Sequence, residues 1–135
     1  MNREILFRAK HIHTMDSNEH LNGTWVHGYL SDKDYIYDKS LEGEFLIDED
    51  TICQYTELTN ELGEEFWEND IVQCGHYYGV IKYEDGAFII KWNTKGSELL
   101  RHDLAYWAYL CDVRVVGNIF DNPELLEEEN VHGTD

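Results

Sequence analysis

Two histidine-bearing stretches and one acidic cluster are the parts of this 135-residue chain whose residue types and spacing point to chemistry. His11 and His13 stand two apart, so an extended strand turns both imidazoles to one side, and Asp16 is near enough in the chain to add an oxygen ligand. Cys74 and His76 repeat that spacing, and a zinc set there would need Cys53 or Cys111 brought in by the fold. Neither stretch has a CxxC or HxxxH spacing. The expectation is histidines at strand ends, with no metal ligand and no cofactor assigned. The carboxylates Glu64, Glu65, Glu68 and Asp70 are dense enough for a general acid and base. That chemistry requires one raised and one ordinary pKa, set by burial or coupling. In a chain with 28 acidic residues such clusters arise by chance. Asp70 reads instead as a residue of the ENDIV stretch whose carboxylate ties down a turn. No GxSxG, no phosphate-cradling glycine loop and no Ser/His/Asp order occurs, so no catalytic residue is assigned.

Aromatic residues offer a second chemistry. Nine Tyr, four Trp and five Phe can build stacking platforms of the kind small barrels use for nucleic acid. Such sites pair stacking with Lys and Arg, and here only Lys82, Lys91 and Lys95 accompany Tyr83, Phe88 and Trp92. Ten basic against 28 acidic residues give a formal charge of −18, spread along the chain. That charge repels phosphate backbones and anionic membranes, so direct nucleic-acid binding is disfavoured and the aromatics read as a β-core.

The elements that must carry these residues are mostly strands. Ile5, Phe7 and Ala9 alternate on a first strand, and residues 13–23 read as an irregular connection. Trp25 to Leu30, Tyr35 to Tyr37, Phe45 to Ile47 and Thr51 to Tyr55 follow as four more strands with polar turns between them. Thr59 to Gly63 suits a turn ending on a residue with positive φ. Asp70 to Cys74 and Tyr77 to Tyr83 are strands, and Asp85-Gly86 is a tight hairpin signal before Ala87 to Trp92. Leu100, Leu104, Trp107 and Cys111 recur at helical spacing behind Ser97, which predicts a short helix around Glu98 to Leu104, with a loop and an aromatic strand as the alternative. A last strand spans Asp112 to Phe120, where Gly117 permits a bulge. Asn122 then caps a helix that starts at Pro123. About ten residues per strand is the rhythm of an antiparallel sandwich or barrel.

The stretches REILFRA (3–9), WVHGYL (25–30), TICQYTEL (51–58), EEFWENDIV (64–72), GVIKYEDGAFIIKW (79–92) and VVGNIFDNPELL (115–126) resemble, in order, the blocks of the YopX family. The resemblance implies a β-rich fold with an SH3-type small barrel, an origin in bacteriophages or prophages, and no established biochemical activity. The family pattern generally has Gly where this chain has Cys53, Glu57 and Asn69, so the turns at Cys53 and Glu57 are expected to differ.

The resulting expectation is a mainly β chain: an N-terminal β lobe (1–58), an SH3-like barrel lobe (59–120) and a short helix and tail (121–135), or one compact unit of all three. The N-terminus carries charge within four residues and no secretory apolar stretch, and the longest apolar run, Leu104 to Cys111, is short of a membrane span. The odd, scattered cysteines suit reduced thiols in the host bacterial cytoplasm. The functional reading is a noncatalytic protein-interaction module whose acidic surface takes a basic partner, with DNA mimicry as its narrower form and self-association through strand edges as a further outcome. The alternative is a metal-dependent or acid/base enzyme built on His11 and His13 or on the Glu64 to Asp70 region.

Overall fold

A computed structural model of the chain describes residues 5–12, 23–92 and 101–126. The protein is mainly β and divides into two units, residues 1–55 and 56–135, with the division inside one strand.

The first unit is built on β1 (Phe7–Lys10), β2 (Trp25–Asp32), β3 (Tyr35–Asp38), β4 (Gly43–Leu46) and the start of β5 (Cys53–Thr59), all antiparallel in the order β4-β3-β2-β1-β5. Period-two alternation sends Phe7, Ala9, Val26, Leu30, Ile36 and Phe45 to one face, where they pack with Ile47 and Ile52. The opposite face carries Arg8, Lys10, Trp25, His27, Tyr29, Tyr35 and Tyr37. Lys10 lies directly across from Trp25, and the guanidinium of Arg8 sits 4.6 Å from that indole centroid. At Gly28 an added Cβ would lie 1.8 Å from the Tyr37 carbonyl oxygen, so only glycine admits β3 this close. A 3-10 turn (Glu49–Thr51), closed by the Asp48 carboxylate on the Asp50 N–H, leads into β5.

In the second unit the rest of β5 borders β6 (Glu65–Trp67). The main sheet has β7 (Asp70–Cys74), β8 (Tyr77–Glu84), β9 (Ala87–Trp92), β10 (Arg101–Asp103) and β11 (Arg114–Asn118) in the antiparallel order β10-β9-β8-β7-β11. Asp85 (φ 54°) and Gly86 (φ 84°) turn the β8-β9 hairpin with both central residues left-handed, as their types favour. Phe66, Val72, Ile81, Ile90, Leu104 and Val113 are fully buried and form the core with Trp92.

Three features depart from expectation. The order of this sheet is open, with β10 and β11 at its edges, so the closure of an SH3-type barrel is absent from the pairings among the described residues. Glu65–Trp67 is a strand without a signal in the sequence, being three residues long. Of the helix expected over Glu98 to Leu104, residues 98–100 lie outside the described residues, residues 101–103 extend instead to pair with Ile89–Lys91, and α1 runs Leu104–Leu110. Leu104, Trp107, Ala108 and Cys111 then supply the apolar stripe that packs on the core.

The end of the described chain follows expectation more closely. The bulge at Gly117 is present, between Val115 and Gly117. Residues 124–126 are helical after Pro123, and the Asn122 carbonyl accepts from the Leu125 N–H at 3.1 Å. The Asn122 side chain reaches back toward β11, where it accepts from the Asn118 N–H at 3.2 Å. The glycine substitutions separate into two kinds. Glu57 (φ 67°) and Asn69 (φ 71°) retain the left-handed backbone that glycine would supply, whereas Cys53 lies buried in β5.

Candidate functional site

The Tyr29 and Tyr37 rings meet across the β2-β3 pair because the hairpin register sets these residues opposite each other. Their centroids are 5.6 Å apart at an interplanar angle of 33°. Beside them opens a cleft of about 270 Å³ lined by Leu6, His27, Gly28, Tyr29, Tyr37, Asp38, Lys39 and Ser40. Tyr29 is 40% exposed, and His27, Lys39 and Ser40 are exposed at the rim.

Asp38 is the buried acid of this cleft, and its chemistry is structural. One carboxylate oxygen accepts from the His27 N–H at 3.0 Å; the other accepts from the Ser40 hydroxyl at 2.6 Å, the Ser40 N–H at 3.0 Å and the Leu41 N–H at 3.3 Å. Burial works to raise its pKa, but the Ser40 hydroxyl and the three N–H groups outweigh burial and hold the carboxyl below its ordinary 3.8. A carboxylate held ionised by four donors fixes the turn after β3 and is poorly suited to proton transfer near neutrality. The cleft therefore offers an apolar aromatic wall and a cationic donor in Lys39 above a turn tied by Asp38. The sequence holds a signal for it, since W-x-H-x-Y and Y-x-Y flank a short polar turn and alternate onto one face.

The residues singled out for chemistry are dispersed. His11 is 4% exposed, its Nδ1 lies 2.7 Å from the Leu46 carbonyl oxygen, and its ring meets Phe45 edge-on at 5.0 Å. It is a core histidine, not a surface one. His13, Asp16 and Lys95 lie outside the described residues. Cys53 is buried in the first unit, its thiol donating to the Thr51 carbonyl at 3.3 Å, while His76 is exposed in the β7-β8 turn. Cys74 and Cys111 pack against the same core in the second unit, and Cys111 is among the groups that raise the Cys74 pKa. Among the described residues no group of three or more His, Cys, Asp and Glu is placed to hold a metal ion.

The acidic cluster is likewise drawn into turns. Glu64 accepts from the Asn60 amide at 2.6 Å, the Val115 N–H at 3.2 Å and Arg114 at 3.4 Å. The Asn60 bond, then the Val115 N–H, lower its pKa below the ordinary 4.5. Asp70, 2% exposed, accepts from the Trp67 N–H at 2.8 Å and so closes the turn. Glu65 is reached by the Trp67 indole N–H at 3.3 Å. Of the lysines near the aromatics, Lys82 donates to Asn69 at 2.8 Å and Lys91 pairs with Glu84 at 2.8 Å. Trp92 is buried, donating to His102 Nδ1 at 2.8 Å, and its ring stands 6.1 Å from that of Trp107. That cluster is a core, not an open stacking platform.

Fold and site together define a mainly β chain of antiparallel sheets bearing a cleft walled by tyrosines. A family model described as YopX protein matches residues 6–127, and the chain belongs to the YopX family. No curated protein matches it. No helix among the described residues is long and apolar enough to cross a membrane.

Proposed function

We propose that this YopX-family chain is a noncatalytic protein-interaction module that receives a side chain of a basic partner in the cleft beside Tyr29 and Tyr37. The single observation that carries this reading is the tyrosine pair, Tyr29 exposed and Tyr37 half-buried, beside a cleft whose buried acid is engaged in structure. Arg8 already lies over Trp25 on the same sheet face, and the tyrosines extend the same π-face chemistry outward to a partner's guanidinium or aromatic ring. Lys39 at the rim supplies a donor for a partner carbonyl. The formal charge of −18 acts on a basic partner at longer range, raising the association rate in a salt-dependent way. The narrower form of the reading, motivated by the same charge, is imitation of DNA by a phage or prophage product in the host bacterial cytoplasm.

Affinity capture from a bacterial lysate at two salt concentrations, with the wild-type chain and a Tyr29→Ala/Tyr37→Ala variant, tests the module. A partner held by wild type at both salts and lost from the variant supports it; equal capture by both chains refutes it. Displacement of DNA from the captured partner is the added outcome that mimicry requires.

A further inference from the structure

Outside the cleft, the exposed face of α1, with Tyr106, Tyr109 and Leu110, has nothing on it to identify an occupant. The Trp92–His102–Trp107 cluster is closed by its own contacts. Cys74 and Cys111 are different, because two thiols from elements far apart in the chain are brought against the same core.

Strand register explains how. Gln73 pairs with Arg114 across β7 and β11, so the next step of the same antiparallel register brings Cys74 to the level of Val113. Cys111 is two residues before Val113, at the end of α1, where its N–H donates to the Trp107 carbonyl at 2.9 Å. The Val113 N–H in turn donates to the Cys111 carbonyl at 3.1 Å, a tight bend between helix and strand that keeps Cys111 close to the β11 end that borders β7. Both side chains pack against the same core, both are partly exposed, and both are free thiols.

We infer that Cys74 and Cys111 are an oxidative cross-linking site, closing to an intramolecular disulfide on exposure to a peroxide. The thiolate of one cysteine attacks a peroxide oxygen, the O–O bond breaks, and hydrogen peroxide leaves a sulfenic acid on that sulfur and releases water. The second sulfur then attacks the sulfenic sulfur, the S–S bond forms and the hydroxyl departs as a second water. In sum, two thiols and one hydrogen peroxide give one disulfide and two waters, the cysteine sulfurs being oxidised and the peroxide oxygens reduced. Burial first, then the adjoining Cys111 and Asp112, raise the pKa of Cys74 above the ordinary 9.0, which keeps this thiol protonated at neutral pH. Cross-linking is therefore slow at neutrality and accelerates with alkalinity. Cys53, buried behind its bond to Thr51 in the other unit, is left out.

The test is peroxide treatment of the full chain, followed by thiol titration under denaturing conditions and non-reducing peptide mapping. The expected result is a fall from three titratable thiols to one, a mass loss of two hydrogens, and a Cys74–Cys111 cross-linked peptide that a reductant removes. The rate should be independent of protein concentration and should rise with pH. Cys74→Ser and Cys111→Ser should each abolish the cross-link while Cys53→Ala leaves it intact. Sulfinic or sulfonic acid on unpaired cysteines, cross-links involving Cys53, or disulfide dimers in place of the internal bond would each overturn the inference.

Discussion

Replacing Asp38 by asparagine is the sharpest perturbation of the ground on which the cleft stands. In the Asp38→Asn chain the side-chain oxygen can still serve the Ser40 hydroxyl and the Ser40 and Leu41 N–H groups, but the amide nitrogen then faces the His27 N–H, donor against donor. Leaving that donor unsatisfied costs about 1–3 kcal/mol, and neutralising the acceptor of the other three bonds adds roughly another 1 kcal/mol. A loss of about 3 kcal/mol in the first unit is expected, equivalent to roughly a hundredfold faster opening. Hydrogen exchange at the His27, Ser40 and Leu41 amides reads this locally, and urea denaturation reads it globally. The pH dependence follows from the direction of the shift. Because the folded pKa lies below 3.8, the Asp38 contribution is fully present above that value and is lost as pH falls through the lower folded pKa. The difference between wild type and variant should accordingly shrink in strong acid. An Asp38→Asn chain within about 0.5 kcal/mol of wild type at pH 7, with unchanged His27 exchange, would refute the reasoning.

Other expectations are smaller. Glu57→Gly should stabilise the chain by about 0.5 kcal/mol in urea, since relief of a left-handed non-glycine backbone slightly exceeds the added chain entropy of glycine; a loss of stability would contradict it. Glu49→Gln should raise the thermal midpoint near neutrality. The hydrogen bond and charge of Asp34 raise the Glu49 pKa above 4.5, so the ionised group weakens folding above its raised folded pKa, and the gain should fade below 4.5. Phe66→Ala should lower the stability of the second unit by about 4 kcal/mol, read by loss of near-ultraviolet dichroism from Trp92 and Trp107, because a fully buried aromatic is removed from the core.

Local signals are legible in this chain and non-local ones are not. Asp85-Gly86 announces its hairpin because both residues tolerate the left-handed backbone on their own, and Gly117 announces a bulge for a different reason, since an added Cβ would lie 2.5 Å from the Asn122 side-chain oxygen. The start of α1 is misplaced by periodicity because pairing of residues 101–103 with β9, a contact across intervening chain, decides where extension gives way to helix. Strand β6 escapes because three residues hold no period, and His11 reads as a surface group because only the fold supplies the Leu46 carbonyl that its ring meets. The cleft is half visible: alternation puts Tyr29 and Tyr37 on strand faces, but their opposition depends on a register that shifts between Leu30 and Asp32. Spacing alone gives Cys74 and Cys111 no reason to share one core, and the β7-β11 register is what brings their segments together.

If partner recognition passes through the tyrosine cleft as proposed, nuclear magnetic resonance titration of the labelled chain with a short arginine-containing peptide will reveal it. Saturable shifts are expected, centred on Leu6, His27, Tyr29, Tyr37 and Lys39, persisting at high salt and abolished by Tyr29→Ala/Tyr37→Ala. Shifts scattered over acidic residues of both units, erased by salt and indifferent to the double substitution, would contradict it.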